Sequence, residues 1–116
     1  MKDLTELRDV LRDFARERDW DQFHSPKNLA MALGGETGEL IEKFQWMSEK
    51  ESYELTNNLR QQIGEELADV LLYLIRLADK CDIDLMNAAE QKIQKNRLRY
   101  PANQVRGSSK KYSDYE

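Results

Sequence analysis

Apolar residues recur along this chain at the spacing of α-helical faces. Leu4, Leu7, Leu11 and Phe14 follow the three- and four-residue steps of one stripe and predict a first helix over roughly residues 3–20. Asp3 followed by Glu6 resembles a capping box with Asp in the Ser/Thr role. A connector, Asp21-Gln22-Phe23-His24, leads to Ser25-Pro26, an N-cap residue followed by proline at the first helical position. A second helix is therefore expected from there to about Met47. From Ser48 to Asn58 the chain is polar without a long apolar period, which predicts a loop holding at most a helical turn. The helical period resumes over residues 59–80, pauses at residues 82–84, and returns over residues 85–99 with Asp84 as the cap. Tyr100-Pro101 stops that last helix, because the residue before proline is pushed out of the helical region. The expected fold is all-α, with four helices in one domain over residues 1–106 and a polar, mobile tail over residues 107–116.

Composition agrees with this pattern and narrows the function. Fifteen Leu and eight Ala stand against eleven Val, Ile and Thr combined, a helix-favouring choice. At 116 residues the chain suits one small domain with a single core. No apolar run approaches the roughly 20 residues of a membrane helix, and the N-terminus lacks a leader-like apolar region, so no membrane partner is expected. The lone Cys81 cannot form an internal disulfide, which fits a reducing cytoplasm; it reads as a small buried residue rather than a nucleophile. A net charge of −4 argues against a nucleic-acid polymer as partner. With one histidine and one cysteine there can be no His/Cys zinc cluster, so any metal must be held mainly by carboxylates. Neither a phosphate-binding P-loop, a dinucleotide fingerprint nor a nucleophile elbow is present.

The informative chemistry is a repeat. Shifted by 30 residues, the second helix falls on the third: Leu29 on Leu59, Leu33 on Ile63, Gly34 on Gly64, Leu40 on Val70 and Phe44 on Leu74. Common helical period explains the apolar matches, but two acids also recur in phase, Glu36 with Glu66 and Glu39 with Asp69. Single E-x-x-E motifs are common on solvated helix faces. Here both pairs border an apolar stripe, where ionised carboxylates are costly unless compensated. A divalent cation such as Mg²⁺, which prefers oxygen ligands and also binds substrate phosphates, is the simplest compensation. Gly34, Gly35 and Gly38 interrupt the second helix at about 1 kcal/mol each relative to alanine, which suggests close approach of another helix or of a ligand. A di-iron carboxylate bundle would need Glu-x-x-His pairs, and no histidine follows these acids. Trp20, Phe23, Trp46 and Tyr73 can stack on a base or fill a core. His24 can touch a ligand or cap a turn. Lys92, Lys95, Arg97, Arg99 and Arg106, with no acid among them, can face a triphosphate or form an ordinary solvated helix end.

Gly35-Glu36-Thr37-Gly38-Glu39-Leu40 and Glu65-Glu66-Leu67-Ala68-Asp69-Val70 resemble the paired acidic motifs of MazG-like, all-α nucleoside triphosphate pyrophosphohydrolases. Residues 18–24, Pro26-Lys27-Asn28-Leu29, Phe44-Gln45-Trp46, Leu72-Tyr73-Leu74, Lys92 and Asn96 through Pro101 are similar to the dCTP pyrophosphatase branch, and the likeness covers roughly residues 4–101. The resemblance implies a Mg²⁺-dependent enzyme that splits (deoxy)nucleoside triphosphates, dCTP or a broader set, into monophosphate and pyrophosphate in nucleotide-pool house-cleaning. By it, Glu36, Glu39, Glu66 and Asp69 are the metal ligands; site chemistry makes the same four the catalytic acids, with Glu36 or Glu39 the candidate general base. Trp20, Trp46, Tyr73, Lys92 and Asn96 are the implied substrate contacts, and His24 joins them as a candidate substrate-binding residue. The bundle is expected to assemble into dimers or tetramers. Where the branch can carry a base-contacting histidine, this chain has Leu11, so that hydrogen bond is missing or comes from elsewhere, with Arg8 and Arg12 as neighbours. Two other readings remain: a non-catalytic helical module that binds nucleotide, metal or a partner helix, and pyrophosphohydrolysis of phosphoribosyl-ATP or a guanosine polyphosphate.

Overall fold

The structure, a computed structural model, describes residues 1–108, so most of the tail expected to be mobile lies outside the described residues. Among the described residues all regular structure is helical: α1 (Leu4–Glu17), a 3-10 turn (Asp21–Phe23), α2 (Pro26–Phe44), α3 (Glu49–Ser52), α4 (Asn57–Lys80), α5 (Leu85–Arg99) and α6 (Ala102–Val105). The expected all-α class holds, carried by the four long helices. The chain divides into two compact units, Met1–Ile83 and a second beginning at Asp84. None of the described helices is long and apolar enough to cross a membrane.

Side-chain caps set where the helices begin. Ser25 Oγ accepts from the Asn28 N–H at 3.1 Å, and Asp84 Oδ1 from the Asn87 N–H at 3.0 Å, as the sequence predicts. Each such cap contributes about 1 kcal/mol. At α1 half of the expected capping box forms: Asp3 Oδ1 accepts from the Glu6 N–H, while the Glu6 carboxylate takes the N–H of Lys2 instead of Asp3. Thr56 caps α4 through the Leu59 N–H at 3.2 Å, so that helix starts at Asn57, two residues earlier than its apolar period implies. Ser48 likewise starts the four-residue α3 inside the expected loop. At the other end, α2 stops at Phe44, before Met47, whose N–H reaches back to Phe44 O in a tightened turn.

α1 and α4 end in the same way. The Trp20 N–H donates to Ala15 O at 2.9 Å and the Asp19 N–H to Arg16 O; Ile83 and Asp82 repeat both bonds to Ala78 and Asp79. These are Schellman turns with aspartate in the left-handed position, at φ 53° for Asp19 and 55° for Asp82. Asp tolerates that conformation less well than glycine, by about 1 kcal/mol. The alanines on which the turns close, Ala15 and Ala78, are buried.

In the first unit α2 packs along α4, and α1 packs on α4 as well. Lys43 donates to Gln62 at 3.3 Å, while the earlier Glu36 meets the later Glu66, so α2 and α4 run antiparallel. The buried apolar residues are few: Ala15, Leu29, Ile63, Ile75 and Ala78. Val10, Phe14, Met31, Ile41, Trp46 and Leu67 remain exposed. An ion pair fastens α1 to α4, with Arg12 Nε donating to Asp79 Oδ2 at 2.7 Å and Nη2 to Oδ1 at 2.5 Å. The helix approach expected at Gly34, Gly35 and Gly38 is absent. A Cβ at any of the three would meet nothing within 4 Å among the described residues, which therefore impose no packing constraint that demands glycine there. In the second unit, Asp84 starts α5 and the Tyr100 N–H closes it on Asn96 O at 2.8 Å; α6 adds a short turn after Pro101.

Candidate active site

A three-residue spacing puts Glu36 with Glu39 on one face of α2, and Glu66 with Asp69 on one face of α4. Antiparallel packing of the two helices turns those faces together. One oxygen from each of the four carboxylates lies within 4.8 Å of the others. Glu39 is exposed, and the other three are half-buried. Glu36 Oε2 and Glu66 Oε2 are buried with no hydrogen-bond partner. Burial pushes the Glu36 carboxyl above its ordinary range, and the proximity of Glu39, Asp69 and Glu66 pushes it further. Glu66 is raised in the same way, first by burial and then by Glu39, with Lys43 pulling in the opposite direction. Orphaned anionic oxygens in a convergent oxygen-only set fit a hard divalent cation, which would reverse the unfavourable charge and fill the missing contacts.

A cavity of about 200 Å³ opens beside the acids, and Asp69 lines both. Leu11, Phe14 and Leu72 give it apolar walls; Trp20, His24 and Tyr73 add aromatic and polar edges. Phe14 meets Trp20 edge to face, with ring centroids 5.7 Å apart, and the Arg18 guanidinium lies 3.7 Å from the centre of the Phe14 ring. The Schellman turn after α1 carries Trp20 to this wall.

Of the residues singled out from sequence, the structure brings together the four acids and, around the adjoining cavity, Trp20, His24 and Tyr73. Trp46 is not among the lining residues and stands 88% exposed. Lys92 and Asn96 are exposed on α5, in the second unit. Arg8 and Arg12, considered as neighbours that supply a base contact, pair instead with Asp9 and Asp79. Cys81 is exposed, not buried as expected, because it falls at the C-cap of α4, where the chain turns outward.

Periodicity missed Arg76. It is 6% exposed and lines the cavity. Its Nε–H donates to His24 Nδ1 at 3.2 Å, Nη2 pairs with Asp21, and Nη1 reaches Asp79 at 3.5 Å. Lys80 also holds Asp21, at 2.7 Å. The legible signal was a single charge inside the apolar run from Leu71 to Ala78, seven residues after Asp69 and three after Tyr73, on their helical face. Burial lowers the pKa of His24, and Arg76 lowers it further. Lys80 and then Arg76 hold the Asp21 carboxyl below its usual range, and Arg12 does so for Asp79.

The profile of the MazG-like family matches residues 32–115. The chain is 48% identical over 113 residues to dCTP pyrophosphatase 1 of Rattus norvegicus and 47% identical to that of Homo sapiens, covering 96% of this chain in each case. It spans 66% of the length of these two relatives. A crystal structure of a pyrophosphatase from Archaeoglobus fulgidus superposes with a TM-score of 0.79 at 42% identity, covering 84% of this chain and 91% of that one. Profile, relatives and fold agree with the paired acidic motifs: this chain belongs to the MazG-like family.

Proposed function

We propose that this chain is a Mg²⁺-dependent pyrophosphohydrolase that cleaves (deoxy)nucleoside triphosphates, dCTP or a broader dNTP set, into the monophosphate and pyrophosphate. One observation carries the reading: a four-carboxylate cluster with two orphaned oxygens shares Asp69 with a cavity walled by Trp20, His24 and Tyr73. The cluster provides for the phosphates and the cavity for the base. The likeness to two proteins named dCTP pyrophosphatase 1 supports the substrate class. Mg²⁺ suits the site because it prefers oxygen ligands, keeps waters and takes substrate phosphates as ligands.

Glu36, Glu39, Glu66 and Asp69 would hold the cation, whose chemistry is to neutralise the triphosphate as the anhydride breaks. Trp20 and Tyr73 hold the base and fix the reach of the triphosphate towards Asp69. Glu39, the exposed acid, or Glu36 accepts the proton of the attacking water at a carboxylate oxygen. The water oxygen bonds to the α-phosphorus, the bond to the bridging oxygen breaks, and pyrophosphate leaves. Lys92 and Asn96 of α5 are proposed as substrate contacts, a role that rests on the motif resemblance.

Self-association is part of the proposal. The buried core is small, and Met31, Ile41, Trp46 and Leu67 leave apolar surface that a second copy would cover. Sedimentation should find dimers or tetramers. A cytoplasmic setting is proposed from the single exposed thiol of Cys81. A panel of dNTPs and NTPs with Mg²⁺, resolving all phosphate products, tests the activity. Monophosphate with pyrophosphate is the expected result, and free phosphate alone would refute it.

A further inference from the structure

Arg76 is the one charged residue that the fold buries among the described residues. A buried guanidinium is tolerated when its donors are matched, and here the three nitrogens meet His24, Asp21 and Asp79. Two of these partners, Asp21 and His24, bracket the 3-10 turn that follows Trp20. Helix α4 therefore holds this turn at both ends through Arg76, with Lys80 adding a second hold on Asp21.

The bond to His24 has a chemical consequence. Nδ1 accepts the Arg76 Nε–H, so it carries no proton, and the neutral ring holds its proton on Nε2. Burial opposes a second proton most, Arg76 and Lys80 add to that opposition while Asp21 works against it, and the ring is held neutral at neutral pH. Nε2 has no hydrogen-bond partner among the described residues, and the ring lines the cavity. We propose that Arg76 is a positioning residue for base selection: it fixes His24 as the Nε2–H tautomer and so presents a hydrogen-bond donor to the base. Such a donor selects a base that offers an acceptor at that edge, such as the carbonyl oxygen or unprotonated ring nitrogen of a pyrimidine, and opposes an N–H there. The inference rests on the reading of the cavity as the base seat, and its test separates the two.

His24 is the only histidine of the chain, so ¹⁵N labelling of histidine and arginine gives one imidazole to follow. In the full chain at neutral pH, Nε2 should be protonated, Nδ1 unprotonated, and the Arg76 Nε and His24 Nδ1 nuclei coupled across the hydrogen bond. A protonated Nδ1 or an absent coupling would overturn the inference, with no variant needed. Adding dCTP without divalent cation should move the Nε2–H resonance, and an unmoved resonance at saturating nucleotide counts against it. Arg76→Met should abolish the coupling and raise KM for dCTP by up to about tenfold, the worth of one hydrogen bond, with kcat changed by less than about twofold. Deoxyribose 5-triphosphate, which has no base, should lose nothing, and an equal loss on both substrates would make Arg76 merely structural. Arg76→Gln, which keeps an amide donor, should recover part of the affinity. If no triphosphate is cleaved, the proposed function fails, while the spectrum and the dCTP titration still decide the role of Arg76.

Discussion

Glu39 differs from its three neighbours in lying open to solvent, where a water can reach it. Glu39→Gln keeps the shape and removes both the charge and the proton acceptor. Its kcat with dCTP and Mg²⁺ should fall by about 10²–10⁴, the range for a general base, with an unchanged circular dichroism spectrum. Near-normal turnover would remove Glu39 from the site. His24 makes a separate prediction through pH. Its pKa lies below the ordinary 6.5 in the folded chain, so the unfolded chain takes the proton first as pH falls. Stability tied to His24 is thus complete above about pH 6.5 and drains away as pH falls towards the lowered folded value. Glu36 and Glu66 act in the opposite sense, since raised carboxyls favour the folded state as they protonate. Urea unfolding of His24→Gln beside the parent cancels that common part. The parent should lose stability relative to the variant between pH 7 and pH 5, and parallel curves would contradict the assignment.

Among the elements, what the sequence made legible was local. Ser25 and Asp84 announced their helices because a cap is a bond across three residues, and the acid repeat was readable because helical phase is a property of one segment. Arg12–Asp79 and Arg76–His24 span 67 and 52 residues, and no spacing rule encodes such pairs. The helix approach expected at the glycines of α2 failed for the same reason, since whether a neighbouring helix reaches them depends on packing, not on propensity. The Arg12–Asp79 pair can be tested directly. Asp79 is a side chain only 10% exposed, and it serves both Arg12 and the buried Arg76. Asp79→Ala should destabilise the first unit by about 1–3 kcal/mol in urea, because it strands part of a buried guanidinium. A change below about 0.5 kcal/mol, typical of surface sites, would mean that the fastening is ornamental.

For the whole molecule, the net charge of −4 acquires a location. Of 22 acidic residues against 18 basic ones, four converge at one point, and without them the chain is balanced at 18 to 18. On the proposed reading, the cluster opposes folding until a cation joins it. Glu36→Gln should therefore raise the Tm of the cation-free protein, yet lose most of the gain that Mg²⁺ gives the parent. That gain is about 2.7 kcal/mol when free Mg²⁺ is 100 times its Kd. Equal Mg²⁺ responses in the two proteins would place the cation elsewhere. The two partnerless oxygens of Glu36 and Glu66 then reach beyond catalysis. A chain that opens more often when starved of its ion offers itself more often to proteases, whose cutting tracks the open population. Limited proteolysis should run faster after chelation, and the abundance of the protein in a cell would follow the supply of the proposed ion.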